Sequence, residues 1–246
     1  MSTPASLLAT KAVRLLLAAT GLTSVVLSSS SCSEPAAGPA RAKARFTQCT
    51  PCHGDNGEGK PEQIAPAIAG LPAWYVEQQL NHFRSGIRGS HFDDLGGMRM
   101  KPMAIALPCP RVRPADLDHP MTDGDCAGRD DVKDMAEFVA SLPLPPRMPA
   151  TISASPTAGR QLFATCAACH GADGAGNPAM KAPPIAGQPD WYVYTQLKNF
   201  KHGVRGSNPK DAQGMVMAGI AKGLPDDAAL RNLAQFVSEL PVRRPH

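Results

Sequence analysis

Aromatic side chains are scarce in this chain: 7 Phe, 3 Tyr and 2 Trp among 246 residues. Aromatics usually supply much of the large buried area of a core, so another apolar body is expected to fill the middle. Long apolar runs are missing as well. No stretch reaches the roughly 18 uninterrupted apolar residues of an ordinary membrane-spanning helix. Charge of one sign does not dominate either, since 25 basic and 21 acidic residues leave a scattered +4. That is no footprint for nucleic acid. Proline (25) and glycine (22) are plentiful, yet together stay below the roughly 25–30% at which disorder becomes the default. With 43% hydrophobic residues, the length suits one or two folded domains. Seven cysteines, an odd number, remain to be explained.

The first segment reads as an address. Lys11 and Arg14 precede the apolar stretch Leu15 to Leu27, then Ser28 to Ser31 and Cys32. A basic start, a short apolar run and a small-residue exit mark residues 1–31 as a secretory signal; an apolar helix buried in the fold is the alternative. Cys32 directly after small residues resembles the cleavage site of bacterial lipoproteins, where that cysteine takes the lipid. Ser29 stands where such sites usually carry Leu, and simple secretion is the competing reading. Residues 32–42, rich in Ala, Pro and Gly, read as a tether. Removing residues 1–31 takes away two basic and no acidic residues, which weakens any charge argument further.

The rest is one unit written twice. Cys49-Thr50-Pro51-Cys52-His53 and Cys166-Ala167-Ala168-Cys169-His170 lie 117 residues apart. At the same offset Trp74-Tyr75-Val76 meets Trp191-Tyr192-Val193, and Gly86-x-Arg88-Gly89-Ser90 meets Gly203-x-Arg205-Gly206-Ser207. The register runs without a gap from Cys49 to Leu107 against Cys166 to Leu224. Beyond it the offset falls to 98, so the first copy carries 19 extra residues, the insertion 108–126. A two-copy repeat of this size implies two similar domains rather than a solenoid. They are placed at 43–143 and 157–246, joined by a Pro-rich linker at 144–156 of semi-rigid, extended character.

Each copy is expected to be helical. Val76, Leu80 and Phe83, like Val193, Leu197 and Phe200, fall at i, i+4 and i+7 on one helix face. Val132, Met135, Val139 and Leu142 repeat the signal near the end of the first copy, and Leu230, Leu233, Val237 and Leu240 near the end of the second. Asp226 or Asp227 is the expected N-cap of the last helix, and Pro143 and Pro241 follow as stops. No segment alternates as a strand. The fold class is therefore mostly α.

C-x-x-C-H is the attachment signature of c-type haem. Cys49 and Cys52, and again Cys166 and Cys169, would form thioethers, while His53 and His170 would ligate the irons. A zinc reading lacks its second ligand pair within each copy, and a thioredoxin-like reading lacks strand–helix alternation. Each iron then needs a sixth ligand or an open position. No spare histidine repeats: His82 aligns with Asn199, His91 with Asn208 and His202 with Ser85. Methionine does repeat, Met98 with Met215 and Met100 with Met217, whereas Met103 faces Ile220. Core filling is the competing role for any single methionine. Met ligation favours electron carrying over substrate chemistry. Pro66 and Pro183 fall in Ala-Pro-x-Ile-Ala-Gly segments, and their carbonyls could take the free N–H of the proximal imidazoles. Arg88 and Arg205 either pair with haem propionates or sit in solvated surface turns.

In combination these motifs resemble the dihaem cytochrome c4 group of class I cytochromes c. The features are two C-x-x-C-H sites, each followed by Pro-x-Ile-Ala-Gly, an aromatic before x-x-Gln-Leu, a Met and a closing Ala-x-Phe helix. The resemblance covers both repeats and implies two small helical cytochrome c domains with His/Met haem c. In that group the axial Met stands seven positions before the Leu that leads into the last helix. This picks Met100 and Met217 over Met98 and Met215. It also implies a periplasmic one-electron carrier. Its donor would be a quinol-oxidising complex or a dehydrogenase, its acceptor a terminal oxidase, and its only membrane attachment a lipid at Cys32. The alternatives are a haem-c subunit of a larger oxidase or dehydrogenase complex, or a dihaem peroxidase-type or thiosulfate-oxidising enzyme. Cys109 and Cys126 lie alone in the insertion, and a disulfide between them is expected in an exported chain. Closing that loop would contribute about 3 kcal/mol in the chain-entropy model.

Overall fold

In the computed structural model, residues 38–108 and 130–242 are described. The signal segment, Cys32, Cys109 and Cys126 lie outside them. Both copies belong to one compact unit, Glu34–His246. The first copy contains α1 (Gly38–Phe46), α2 (Thr50–His53), α3 (Ala73–Arg84), α4 (Leu95–Ile105) and α5 (Asp131–Ser141). The second contains α6 (Pro156–His170), α7 (Asp190–Lys201), α8 (Ala212–Lys222) and α9 (Asp227–Glu239). Among the described residues there is no strand, only isolated bridges at the equivalent pairs Lys60–Ala65 and Asn177–Ala182.

The copies differ most at their first helix. In the second copy α6 runs unbroken through the C-x-x-C-H motif, whereas the first copy interrupts the same path between α1 and α2. Pro51 stands where the second copy has Ala168 and has no N–H to give the Thr47 carbonyl four residues back. The Thr50 hydroxyl donates to that carbonyl instead, at 3.1 Å. Capping is otherwise regular. The carboxylates of Asp94, Asp130, Asp211 and Asp226 each accept the N–H three residues on, at 2.8–3.0 Å. Such caps satisfy donors that a helix start leaves unpaired. Of the two expected caps for α9, Asp226 is the one used.

The helical faces read from the sequence form the cores. Phe46, Leu80, Phe83, Val132, Met135 and Val139 pack together in the first copy. Phe163, Leu233 and Val237 do so in the second, flanked by Val193 and Leu197. Fully burying each such side chain is worth about 1.5–3 kcal/mol. The aromatic pair Phe46–Phe138 (5.2 Å, 59°) is reproduced by Phe163–Phe236 (5.2 Å, 60°).

One boundary needs correction. Residues 38–42 are not tether: they open α1, and Arg41 is buried against Asp131 with Nε donating at 2.8 Å. The linker, though Pro-rich, is fastened to the second copy. Asp190 accepts from the Thr151 and Ile152 N–H groups at 2.7 Å, and Gln235 accepts from the Ala154 N–H at 2.8 Å.

Candidate functional site

Cys49 leads into α2, which carries Cys52 and His53; Cys166, Cys169 and His170 close α6. Three residues of helical rise bring each thiol pair to one side, and both histidines are buried. Nδ1 of His53 is 2.9 Å from the Pro66 carbonyl, and Nδ1 of His170 is 2.8 Å from that of Pro183. A carbonyl only accepts, so each Nδ1 carries the proton and each Nε2 presents a lone pair. Burial pushes both imidazoles below their ordinary range, against the smaller opposing effect of that hydrogen bond, and keeps them neutral. The loop bearing Pro66 reaches His53 by passing close over Gly59. A Cβ there would meet the Ala67 nitrogen at 2.5 Å, and φ is +87°. Gly176 does the same beneath Pro183 and Pro184.

Met100, on α4, packs against the first core with Sδ 3.5 Å from His53 Nε2. Met217, on α8, lies beside Phe200 and Ala218 and lines the same cavity as His170. Met98 and Met215 point outward, 45% and 49% exposed, and line no part of that cavity. Met103 sits at its rim, 39% exposed. One continuous, largely apolar cavity of about 620 Å³ runs from the first C-x-x-C-H to the second.

The sequence did not reveal how the methionine helices are held. Arg84 is buried and donates from Nη1 to the carbonyls of Ala104 and Leu107, both at 2.5 Å, the last turn of α4 and just beyond. Lys201, at the equivalent position, donates to the carbonyls of Lys222, the last residue of α8, and of Leu224 just beyond it. Cations suit helix C-termini. The only sequence signal is a basic residue closing an otherwise core-facing helix in both copies.

Arg88 and Arg205 are not in solvated turns. Both line the cavity where the copies meet. They stack over Phe83 and Phe200 at 4.4 and 4.5 Å. Each donates to both Gln79 and Gln196, at 2.6–3.4 Å. Burial, and then the charge of Arg205, press Arg88 below the usual guanidinium range. The Nε of each arginine and the Nε1 of Trp74 and of Trp191 are buried without a partner. Orphaned cationic donors around an apolar cavity fit a flat hydrophobic body that carries carboxylates.

The thiols argue the same way. Burial, and then Cys52, push Cys49 up to about 11, and burial raises Cys166. A redox-active C-x-x-C instead lowers its thiol toward 7 or below. Among the described residues no group of three or more His, Cys, Asp or Glu gathers to hold a metal ion.

The family model described as "Cytochrome c" matches residues 39–143 and 156–241. The chain belongs to the cytochrome c family. The thiosulfate dehydrogenase electron acceptor of Stutzerimonas stutzeri (strain A1501) is 32% identical over 182 residues, 73% of each chain. The cbb3-type cytochrome c oxidase subunit FixP of Rhizobium meliloti (strain 1021) is 39% identical over 88 residues, 33% of this chain and 29% of that subunit. Reduced recombinant cytochrome c4 from Pseudomonas stutzeri shares the fold at a TM-score of 0.58 and 22% identity, over 84% of this chain and all of that one. The chain therefore has two tandem cytochrome c domains and two covalently bound haem c groups. It is a dihaem electron carrier of the cytochrome c4 type, not an enzyme.

Proposed function

We propose that this cytochrome accepts single electrons from a thiosulfate-oxidising dehydrogenase in the periplasm and passes them toward a terminal oxidase. The observation that carries the donor is the 32% identity, over 73% of each chain, to a protein named for accepting electrons from thiosulfate dehydrogenase. The likeness to a cbb3-type oxidase subunit over about one domain supports the acceptor. Haem supplies the one-electron chemistry when bound. The chain supplies the rest. Cys49, Cys52, Cys166 and Cys169 would hold the porphyrins through thioethers, and His53 with Met100, and His170 with Met217, would ligate the irons. The Pro66 and Pro183 carbonyls fix each imidazole, while Arg88 and Arg205 would meet haem carboxylates at the contact between copies. The inward placement of Met100 and Met217 and the outward placement of Met98 and Met215 support this ligand set. It leaves no position for substrate.

The basic-apolar-small start of the chain supports export with cleavage before Cys32 and lipid attachment there. Cys109 and Cys126 form the disulfide of this reading. Mass spectrometry of the mature protein, alkylated without reduction, tests both. An acylated N-terminal Cys32 and no label on Cys109 or Cys126 are expected; an unmodified residue 32 or two labelled thiols would contradict them.

The partner proposal is tested by mixing the oxidised cytochrome anaerobically with purified thiosulfate dehydrogenase and thiosulfate. Full reduction of both haems, followed by reoxidation on adding oxidase-containing membranes, is expected. No reduction under conditions where the enzyme reduces its own acceptor would refute it.

A further inference from the structure

The contact between copies is close to two-fold symmetric. Arg88 reaches Gln79 and Gln196, and Arg205 reaches Gln196 and Gln79. The symmetry is incomplete, and one of the positions where it fails carries a histidine. Near the end of α3 stands His82; its counterpart on α7 is Asn199. His82 Nδ1 is buried, has no hydrogen-bond partner and lies 3.9 Å from Asp211 Oδ1 of the other copy. Asp211 is the carboxylate that caps α8, the helix carrying Met217. The His82 side chain is 13% exposed, so water reaches the ring while most of it is dry.

We propose that His82 is a proton-binding site linked to the redox state of the two haems. One-electron reduction of a bound haem would lower the charge of that site by one, and His82 would gain one proton from solvent, held at Nδ1 facing Asp211; reoxidation would release the proton to solvent. Three charged side chains face the ring. Asp211 at the start of α8 favours the cation; Arg88 in the turn after α3 and Arg205 in the turn after α7 oppose it. Tyr75 and Tyr192 flank the two guanidiniums, with Asp94 near Arg88 and Asp211 near Arg205. Burial outweighs Asp211 and holds His82 below the ordinary histidine range in the haem-free chain. The ring itself does not line the cavity, but Asp211, Arg88 and Arg205, which face it, do, and through them a change of one charge in the cavity can shift its proton occupancy. Linkage makes the effect reciprocal: what raises proton affinity on reduction raises the reduction potential on protonation. Asn199, in the same place on α7, has no proton to exchange, so the second copy cannot duplicate the site.

This inference rests on the dihaem carrier reading and is independent of the proposed donor and acceptor, because its test uses no partner. The two midpoint potentials are measured from pH 5 to 8 in the holoprotein and in His82→Asn, a change to the residue the second copy already carries. The wild-type potentials should fall with pH across the His82 titration, and the variant should lose that component while retaining its haem spectra. A tenfold difference in proton affinity between redox states corresponds to about 59 mV for a one-electron couple. Titrating the His82 ring by NMR in the fully reduced and fully oxidised wild type supplies the second reading, with a higher pKa expected in the reduced form. Equal pKa values in both states, or superimposed potential–pH curves for wild type and variant, would overturn the proposal. If the variant does not fold, the wild-type ring titration decides alone.

Discussion

His53 Nε2 and Met100 Sδ stand 3.5 Å apart, brought together from α2 and α4 across 47 residues of chain. The Pro66 carbonyl makes that approach chemically specific: by accepting the hydrogen bond from Nδ1–H it leaves the Nε2 lone pair facing the sulfur. The second copy keeps the same Pro183–His170 bond and places Met217 on the wall of the same cavity.

Met100→Ala and Met217→Ala should each abolish the far-red methionine–ferric haem band at one haem and leave the other intact. Met98→Ala and Met215→Ala should change neither, since both side chains are about half exposed. Removing the partly buried Met100 should also cost about 2 kcal/mol of stability. Loss of a band in Met98→Ala, with retention in Met100→Ala, would reverse the ligand choice.

Gly59→Ala tests the loop that carries Pro66. Its Cβ would meet backbone at 2.5 Å with φ at +87°, so a loss of about 2–3 kcal/mol and poorer haem incorporation are expected. Gly203→Ala is the comparison: φ is +75°, but nothing lies within 4 Å of the new Cβ. It should cost about 1 kcal/mol, read by thermal unfolding of both variants.

Removing the buried carboxylate in Asp131→Asn leaves Arg41 charged and desolvated. Both side chains are under 10% exposed, and losing one partner of such a pair costs about 3 kcal/mol. Chemical denaturation should show this loss, with α1 coming away from α5 as the amide exchange of residues 38–46 rises.

Asp227 gives the pH dependence a sign. The Tyr194 hydroxyl, and then Arg231, hold its carboxyl below the usual value of 3.8. The folded state therefore binds this proton less readily than the unfolded one. The contribution is complete above about pH 4 and is lost as pH falls through the lowered value. Because Asp227 is exposed, the gap in melting temperature between wild type and Asp227→Asn should be small at pH 7 and close toward pH 3.

The repeat made much of this legible in advance. Leu80, Phe83, Val132 and Val139 announced their buried faces by helical spacing, and the two C-x-x-C-H motifs announced the cofactor. Methionines were harder: Met98 and Met100 both recur in the second copy, so the repeat alone leaves them equal; the family spacing favours Met100, and the orientation on α4 agrees with it. Arg88 looked equally suited to a surface turn, because Gly-x-Arg-Gly-Ser describes the local chain and not the second copy packed on it. Residues 38–42 resembled a tether by composition, while the Asp131 carboxylate that buries Arg41 lies 90 residues away. The break before α2 was written in Pro51, yet its consequence appears only beside the uninterrupted α6.

The most direct measurement counts the methionine–ferric haem band per haem in the oxidised protein and follows cyanide binding alongside a reductive titration. Two haems with methionine bands, slow cyanide binding and two reversible one-electron steps are expected. One haem without the band that binds cyanide rapidly would contradict the assignment of matched His/Met sites.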